Sequence, residues 1–156
     1  MIECLPRGIC SWNYELSCAG HGAQTELRWM GEQGSLWVDG ESFNVVKEGL
    51  WSGRWRLEGN AGTLFVAQKV SAFRRTFEID GRGGQAVLRA ESAFGRSMLL
   101  EGERVNVAIR PAHVFTRRAS IQGEVGDFRL VAFGFWLTAL LWRRAASNNN
   151  SGGGGS

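Results

Sequence analysis

Little in these 156 residues breaks regular structure or advertises chemistry. Only two prolines occur, Pro6 and Pro111, which excludes proline-rich linkers and extended proline ligands. The three cysteines, Cys4, Cys10 and Cys18, are odd in number, crowd the first part of the chain and show no C-x-x-C or Cys/His spacing. Neither a disulfide framework nor a zinc site is therefore expected; they read as free thiols of a reducing cytoplasm. Lysine is almost missing: only Lys47 and Lys69 stand against sixteen arginines, the usage of a GC-rich bacterial genome. Two histidines, His21 and His113, have no Ser or Cys nucleophile at a recognisable spacing, and G-x-S-x-G and H-E-x-x-H are absent, which leaves hydrolase chemistry without a motif. No charged-then-apolar segment opens the chain, so secretion is not expected.

A membrane-length apolar run is also missing. Between Arg129 and Arg143 lie the 13 uncharged residues Leu130–Trp142, roughly 20 Å of helix at 1.5 Å per residue. A bilayer core needs about 20 such residues. The segment is apolar on every side, so as a helix it must be buried. Asp127 is placed to cap its start, and a central helix over 127–144 is expected.

What is present is a repeat. Trp51, Phe73, Phe94 and Phe115 are spaced by 22, 21 and 21 residues. Four residues after each stand Trp55, Phe77, Met98 and Ala119, and six after each Leu57, Ile79, Leu100 and Ile121. Arg54, Arg75, Arg96 and Arg117 fall between. A fixed period of this size marks a repeated supersecondary unit. Each unit reads as a hairpin: Phe77 and Ile79 alternate with Glu78 and Asp80, Gly81–Gly84 turns the chain, and Ala86, Leu88 and Ala90 follow. Val105, Val107 and Ile109 repeat the pattern. Trp12/Tyr14/Leu16, Leu27/Trp29, Leu36/Val38, Phe43/Val45 and Leu64/Val66 extend it towards the N-terminus. One strand over residues 1–6, five hairpins from about Ser11 to Arg110 and a last strand at Arg117–Gln122 predict twelve strands. The spacing suits an all-β barrel or sandwich. A barrel this wide needs a filling, and the apolar helix matches a strand of six or seven residues in length. The expected fold is thus all-β with one helix: a closed antiparallel twelve-stranded barrel around a C-terminal helix, with Gly134, Ala132 and Ala139 allowing close approach. A two-sheet sandwich with the helix across an open edge is the alternative.

The phrases "SAFRRTFEID", "SAFGRSMLLEG" and "HVFTRRASI", with the ending "FRLVAFGFWLTALLWRRAA", resemble the LURP-one-related and phospholipid scramblase branch of the tubby-like proteins, in particular small bacterial members. The resemblance covers about residues 1–146 and implies the barrel with a lumenal helix. It further implies binding of phosphoinositide or other anionic lipid headgroups through basic residues, or a part in stress and defence. The proline-rich region, the palmitoylated cysteine cluster and the acidic calcium loop of the scramblases are not in this sequence, so scrambling is not implied.

Consecutive connections of an up-and-down barrel alternate ends. The glycine turns (19–22, 40, 59–62, 81–84, 102–103) then share one end and the aromatic-arginine turns the other. The helix enters from the glycine end and brings Arg143 and Arg144 out at the arginine end, where cations also suit the helix dipole. That end collects Arg7, Arg54, Arg74, Arg75, Arg96, Arg117, Arg118, Arg143 and Arg144, with Glu32, Glu48 and Glu91 as its main acids. Guanidinium groups grip phosphates bidentately, so Arg54, Arg74, Arg75, Arg96, Arg117, Arg118, Arg143 and Arg144 are the candidate ligand-binding residues. Exposed Trp or Phe at the same rim would suit a membrane interface. The competing reading is that these arginines are solvated or paired with neighbours such as Glu78, Glu101 and Glu124. No catalytic residue, metal, cofactor or nucleic-acid partner is expected, and the chain is expected to be a monomer.

The expected function is a cytoplasmic, non-enzymatic binding or scaffolding module, at most peripheral to the membrane, that takes anionic lipid or phosphorylated ligands at the arginine end. A protein-interaction module in stress or defence, a protein whose helix leaves the barrel to insert in a membrane, and an enzyme with a site on the barrel surface are the alternatives. The segment 147–156, rich in Asn, Gly and Ser, reads as a flexible tail, native or a cloning remnant. Its Asn149-Asn150-Ser151 sequon carries little meaning in a cytoplasmic chain.

Overall fold

Period-2 alternation runs through the chain, and the result is a closed barrel. The computed structural model describes residues 1–9, 11–113 and 116–151; Cys10, Val114, Phe115 and the last five residues of the tail lie outside that description. Among the described residues the strands are β1 (Ile2–Pro6), β2 (Tyr14–Cys18), β3 (His21–Leu27), β4 (Gly34–Val38), β5 (Glu41–Lys47) and β6 (Arg54–Gly59). They continue with β7 (Gly62–Lys69), β8 (Thr76–Gly81), β9 (Gly84–Ala90), β10 (Met98–Gly102), β11 (Val105–Pro111) and β12 (Ala119–Glu124). Each strand pairs antiparallel with its sequence neighbours. The ring closes where β1 meets β12, with Ile2 opposite Ile121 and Cys4 opposite Ala119. Closure removes every free sheet edge and rules out the sandwich.

The repeat explains the lumen. Trp55, Leu57, Phe77, Ile79, Met98, Leu100, Ala119 and Ile121 are all buried, as residues of one strand face must be when that face lines a core. Their neighbours Arg56, Glu78, Leu99 and Ser120 are not. The outer wall carries Glu3, Glu15, Gln24, Ser42, Glu78, Arg89 and Glu101, the reverse of a membrane barrel, which turns an apolar band outward.

The helix α1 (Phe128–Ser151) fills the lumen. Asp127 accepts a hydrogen bond from the Arg129 amide at 3.0 Å, an N-cap. From Leu130 to Trp142 every residue is buried. Its side chains meet strands from several sides. Phe135 packs edge-on to Tyr14 of β2 at 4.9 Å between centroids. Phe133 stacks with Phe65 of β7, and Gly134 lies under Leu100 of β10. Buried indoles need a partner for the N–H. Trp136 donates to the Glu26 carbonyl and Trp142 to the Arg96 carbonyl, both at 2.9 Å. Among the described residues no helix is long and apolar enough to cross a membrane.

Four elements differ from the expectation, one being Trp12, which lies in the loop before β2 rather than in a strand. Trp29 is not in a strand: β3 ends at Leu27, and Trp29 stands in the following loop, 97% exposed. The last strand begins at Ala119 rather than Arg117, because Arg117 belongs to the loop and lies over the Trp12 ring at 4.1 Å. The helix does not stop at Arg144 but runs on to Ser151, taking up the first residues of the expected flexible tail.

The arginine end as candidate functional site

Twelve antiparallel strands place the six connections that leave odd-numbered strands at one end. They span residues 7–13, 28–33, 48–53, 70–75, 91–97 and 112–118. The helix leaves at this end: Trp142 bonds to Arg96, Arg143 donates to the Arg28 and Gly31 carbonyls, and Arg144 grips Glu32. All eight candidate arginines therefore share one end.

They do not form one open ring. Arg75 donates to three carbonyls of the next loop, Gly95 at 2.6 Å, Ser92 at 2.8 Å and Ala93 at 3.0 Å. Arg96 reaches the His113 carbonyl at 3.4 Å and lies over the Trp142 ring. Arg117 reaches the Ser11 carbonyl at 3.1 Å, across the closure of the barrel. Three of the four repeated arginines, Arg75, Arg96 and Arg117, thus tie their own loop to the next. Arg54 pairs with Glu48 at 3.1 Å. Arg143 is likewise held by carbonyls; burial, outweighing the nearby Glu32, lowers its pKa. Arg74 and Arg118 are exposed, and among the described residues neither guanidinium has a side-chain or backbone partner. They are the arginines left for an external anion.

Glu32 is the electrostatic centre of this end. Its carboxylate takes Arg144 at 2.7 Å and Lys47 at 2.6 Å, both cations lying over the Trp55 ring at 5.6 and 5.1 Å. The Trp55 indole donates to the Glu32 carbonyl at 2.8 Å. Burial alone would raise the Glu32 pKa, but the two cations outweigh it and bring the group down to about 2. Lys69 lines the same small hollow with Leu50, Trp51 and Ser71. Burial first, and Arg144 second, lower its pKa.

The modest net charge conceals a strong separation. Segments 7–13, 28–33, 47–54, 69–75, 91–97, 112–118 and 143–144 hold twelve of the eighteen basic residues and only three of the fifteen acids, Glu32, Glu48 and Glu91. The formal +3 divides into +9 at this end and −6 over the rest. All three acids are already paired with cations.

The same loops carry exposed apolar side chains at their tips. Ile9, Trp29, Trp51, Phe73 and Phe94 are 98, 97, 95, 98 and 101% exposed. At Trp51, Phe73 and Phe94 the aromatic at the head of the repeat is a loop tip; Phe115, the fourth, lies outside the described residues. For Ile9, Trp51, Phe73 and Phe94 the available signal is the Gly, Ser or Arg on one side of each.

A cavity of about 690 Å³ lies at the opposite end, around the entry of α1. His21 bonds there to Asp39 at 2.7 Å and its ring faces Phe128. Asp39 also accepts the Gly22 amide. Asp39 and Gly40 both have positive φ, 50° and 83°, the geometry of an Asp-Gly hairpin turn. Turn chemistry therefore explains this pair, and the cavity's lining of mixed sign, Glu41, Arg104, Asp127 and Arg129, offers no nucleophilic Ser, Thr or Cys. His113 remains a loop residue at the other end. Cys4 is buried, and burial raises its thiol pKa, which makes it inert; Cys18 is half-buried and free. Among the described residues no group of three or more His, Cys, Asp or Glu is placed to hold a metal.

Compared with known proteins, the chain finds no counterpart: no family model, no curated protein and no solved structure matches it.

Proposed function

We propose that the protein is a non-enzymatic binding module of the tubby-like kind that docks its arginine end on anionic lipid headgroups, working from the cytoplasm as a peripheral membrane protein. The charge separation carries this reading. A face of +9 opposed by −6 turns the molecule in the field of an anionic surface before contact. Near such a surface each uncompensated cation contributes about 1 kcal/mol, and Arg74 and Arg118 remain to take phosphate oxygens bidentately. The barrel-and-helix architecture and the aromatic-arginine repeat support the family resemblance.

The test is a titration with phosphatidylcholine vesicles with and without phosphatidylglycerol or phosphoinositide, at low and high salt. The reading requires saturable binding that depends on the anionic lipid and weakens with salt. Charge reversal by Arg74→Glu with Arg118→Glu should weaken it at least tenfold without changing the melting temperature. Binding indifferent to anionic lipid or to that pair of changes would refute the reading.

A further inference from the structure

We infer that the arginine end does not merely rest on headgroups: its apolar loop tips insert into the interfacial layer of the membrane and hold the barrel upright on it. The inference rests on the reading of this end as a membrane-docking face and adds an apolar component that charge alone does not supply.

Single exposed apolar residues are ordinary on protein surfaces. Their distribution here is not. Of the large apolar side chains among the described residues, the seven that are 80% exposed or more, Ile9, Trp29, Met30, Leu50, Trp51, Phe73 and Phe94, all lie on loops of this one end. Those elsewhere are less exposed: Met1 at the start of the chain is 73% exposed, Leu5 and Trp37 40% and Val87 37%. Five of the six loops at this end each contribute a tip among the described residues, so the tips stand around most of the mouth of the barrel.

The geometry selects the partner. Twelve strands about 4.8 Å apart and tilted near 40° make a ring roughly 24 Å across. The six connections at this end, evenly placed around that ring, are then roughly 12 Å apart, and so are the tips on neighbouring loops. They cannot cover each other, and they offer no continuous groove that a peptide or helix would need. A fluid interface accepts separate wedges. The residue types also fit: Trp and Phe sit at the boundary of headgroup and acyl chain, where the indole keeps its N–H wet. Arginine flanks them, Arg28 beside Trp29 and Arg74 beside Phe73, and long basic side chains reach headgroup phosphates from such a depth.

The probe is a vesicle of equal parts phosphatidylcholine and phosphatidylglycerol, with or without bromine on the acyl chains. Trp29 and Trp51 should show quenching by the bromines on binding, and most of it should vanish in the double variant Trp29→Ser/Trp51→Ser. The Phe73→Ser/Phe94→Ser variant should bind roughly tenfold more weakly, since each ring buries well over 100 Å² on insertion, and both variants should melt like the parent because these side chains touch no core. Part of the parent's binding should persist at high salt. Binding without quenching, abolished by salt and indifferent to Phe73→Ser/Phe94→Ser, would overturn insertion while leaving the electrostatic docking intact. No binding at low salt would overturn both. Concentration-dependent self-association that the same variants abolish, with no vesicle binding, would make the tips a contact between copies of the chain and likewise overturn the inference.

Discussion

Arg75 donates to the Gly95 carbonyl at 2.6 Å across the gap between two neighbouring loops. With Ser92 and Ala93 also on its guanidinium, it closes a loop that has few other reasons to hold one shape. Hydrogen bonds from a charged donor contribute more than neutral ones, and three carbonyls left to water on replacement by alanine should cost about 1–2 kcal/mol. Arg75→Ala should lower the melting temperature and speed amide exchange over residues 92–95. Arg75→Lys should rescue little, since an ammonium is a point charge without the planar fork. The effect on vesicle binding should be smaller than that of Arg74→Ala. The opposite order would make Arg75 a ligand residue rather than a tie.

Acid sensitivity should trace to Glu32. Its folded pKa is depressed to about 2 from an ordinary 4.5, so the unfolded chain binds the proton more readily. The stabilisation is complete above the unfolded pKa and is lost as the pH falls through the folded one. A shift of this size corresponds to at most roughly 3 kcal/mol, a figure reasonable for a side chain only 22% exposed. Glu32→Gln should destabilise the barrel at pH 7, because Arg144 and Lys47 then repel without a counterion. It should also flatten the dependence of unfolding free energy on pH between 4.5 and about 2. Equal slopes in the two proteins over that window would show that Glu32 does not control it.

Two glycines under the same helix should respond unequally to one methyl group. At Gly34 a Cβ would stand 1.8 Å from the Glu26 carbonyl oxygen and 3.0 Å from the Trp136 indole nitrogen, the pair that forms the Trp136 hydrogen bond. Backbone has to move, and Gly34→Ala should cost about 2–4 kcal/mol. At Gly134 the Cβ would meet the end of the Leu100 side chain at 2.9 Å. A rotamer change can relieve that contact, and alanine suits a helix better than glycine. Gly134→Ala should therefore cost under about 1 kcal/mol. Denaturant unfolding of the two variants decides the order.

The barrel was readable because inward positions must be apolar on every strand. Trp55 and Leu57, or Phe77 and Ile79, announce the lumenal face without any knowledge of the partner strand. The helix was readable because Leu130–Trp142 leaves no polar side to face water. Trp29 was misplaced because Leu27-Arg28-Trp29 continues the alternation beyond the point where β3 ends. Nothing local separates a strand's last residue from an exposed tip. The continuation of α1 has a simple reason: after Arg144 no Gly or Pro stops it before Gly152. The division of the arginines into ties and free groups was beyond the sequence, since the partners of Arg75 and Arg117 are backbone carbonyls 20 and 106 residues away. Any residue type could supply those carbonyls.

The threaded helix makes the sharpest demand on the fold. Leu137 and Leu140 are fully buried midway along it, with strands around them and no route to solvent. Aspartate at either position would place a charge in the lumen with no cation to meet it, or force the carboxyl to take up a proton at neutral pH. Either way the penalty is several kcal/mol, a large part of the 5–15 kcal/mol that holds a domain of this size. Leu137→Asp and Leu140→Asp should fail to fold at neutral pH. Leu137→Met and Leu140→Met, which conserve volume and polarity, should fold with losses under about 1.5 kcal/mol. Circular dichroism and gel filtration of the four proteins distinguish the cases. A folded, monomeric aspartate variant would mean that the helix can leave the barrel, and the empty lumen would then have to be stable in its own right.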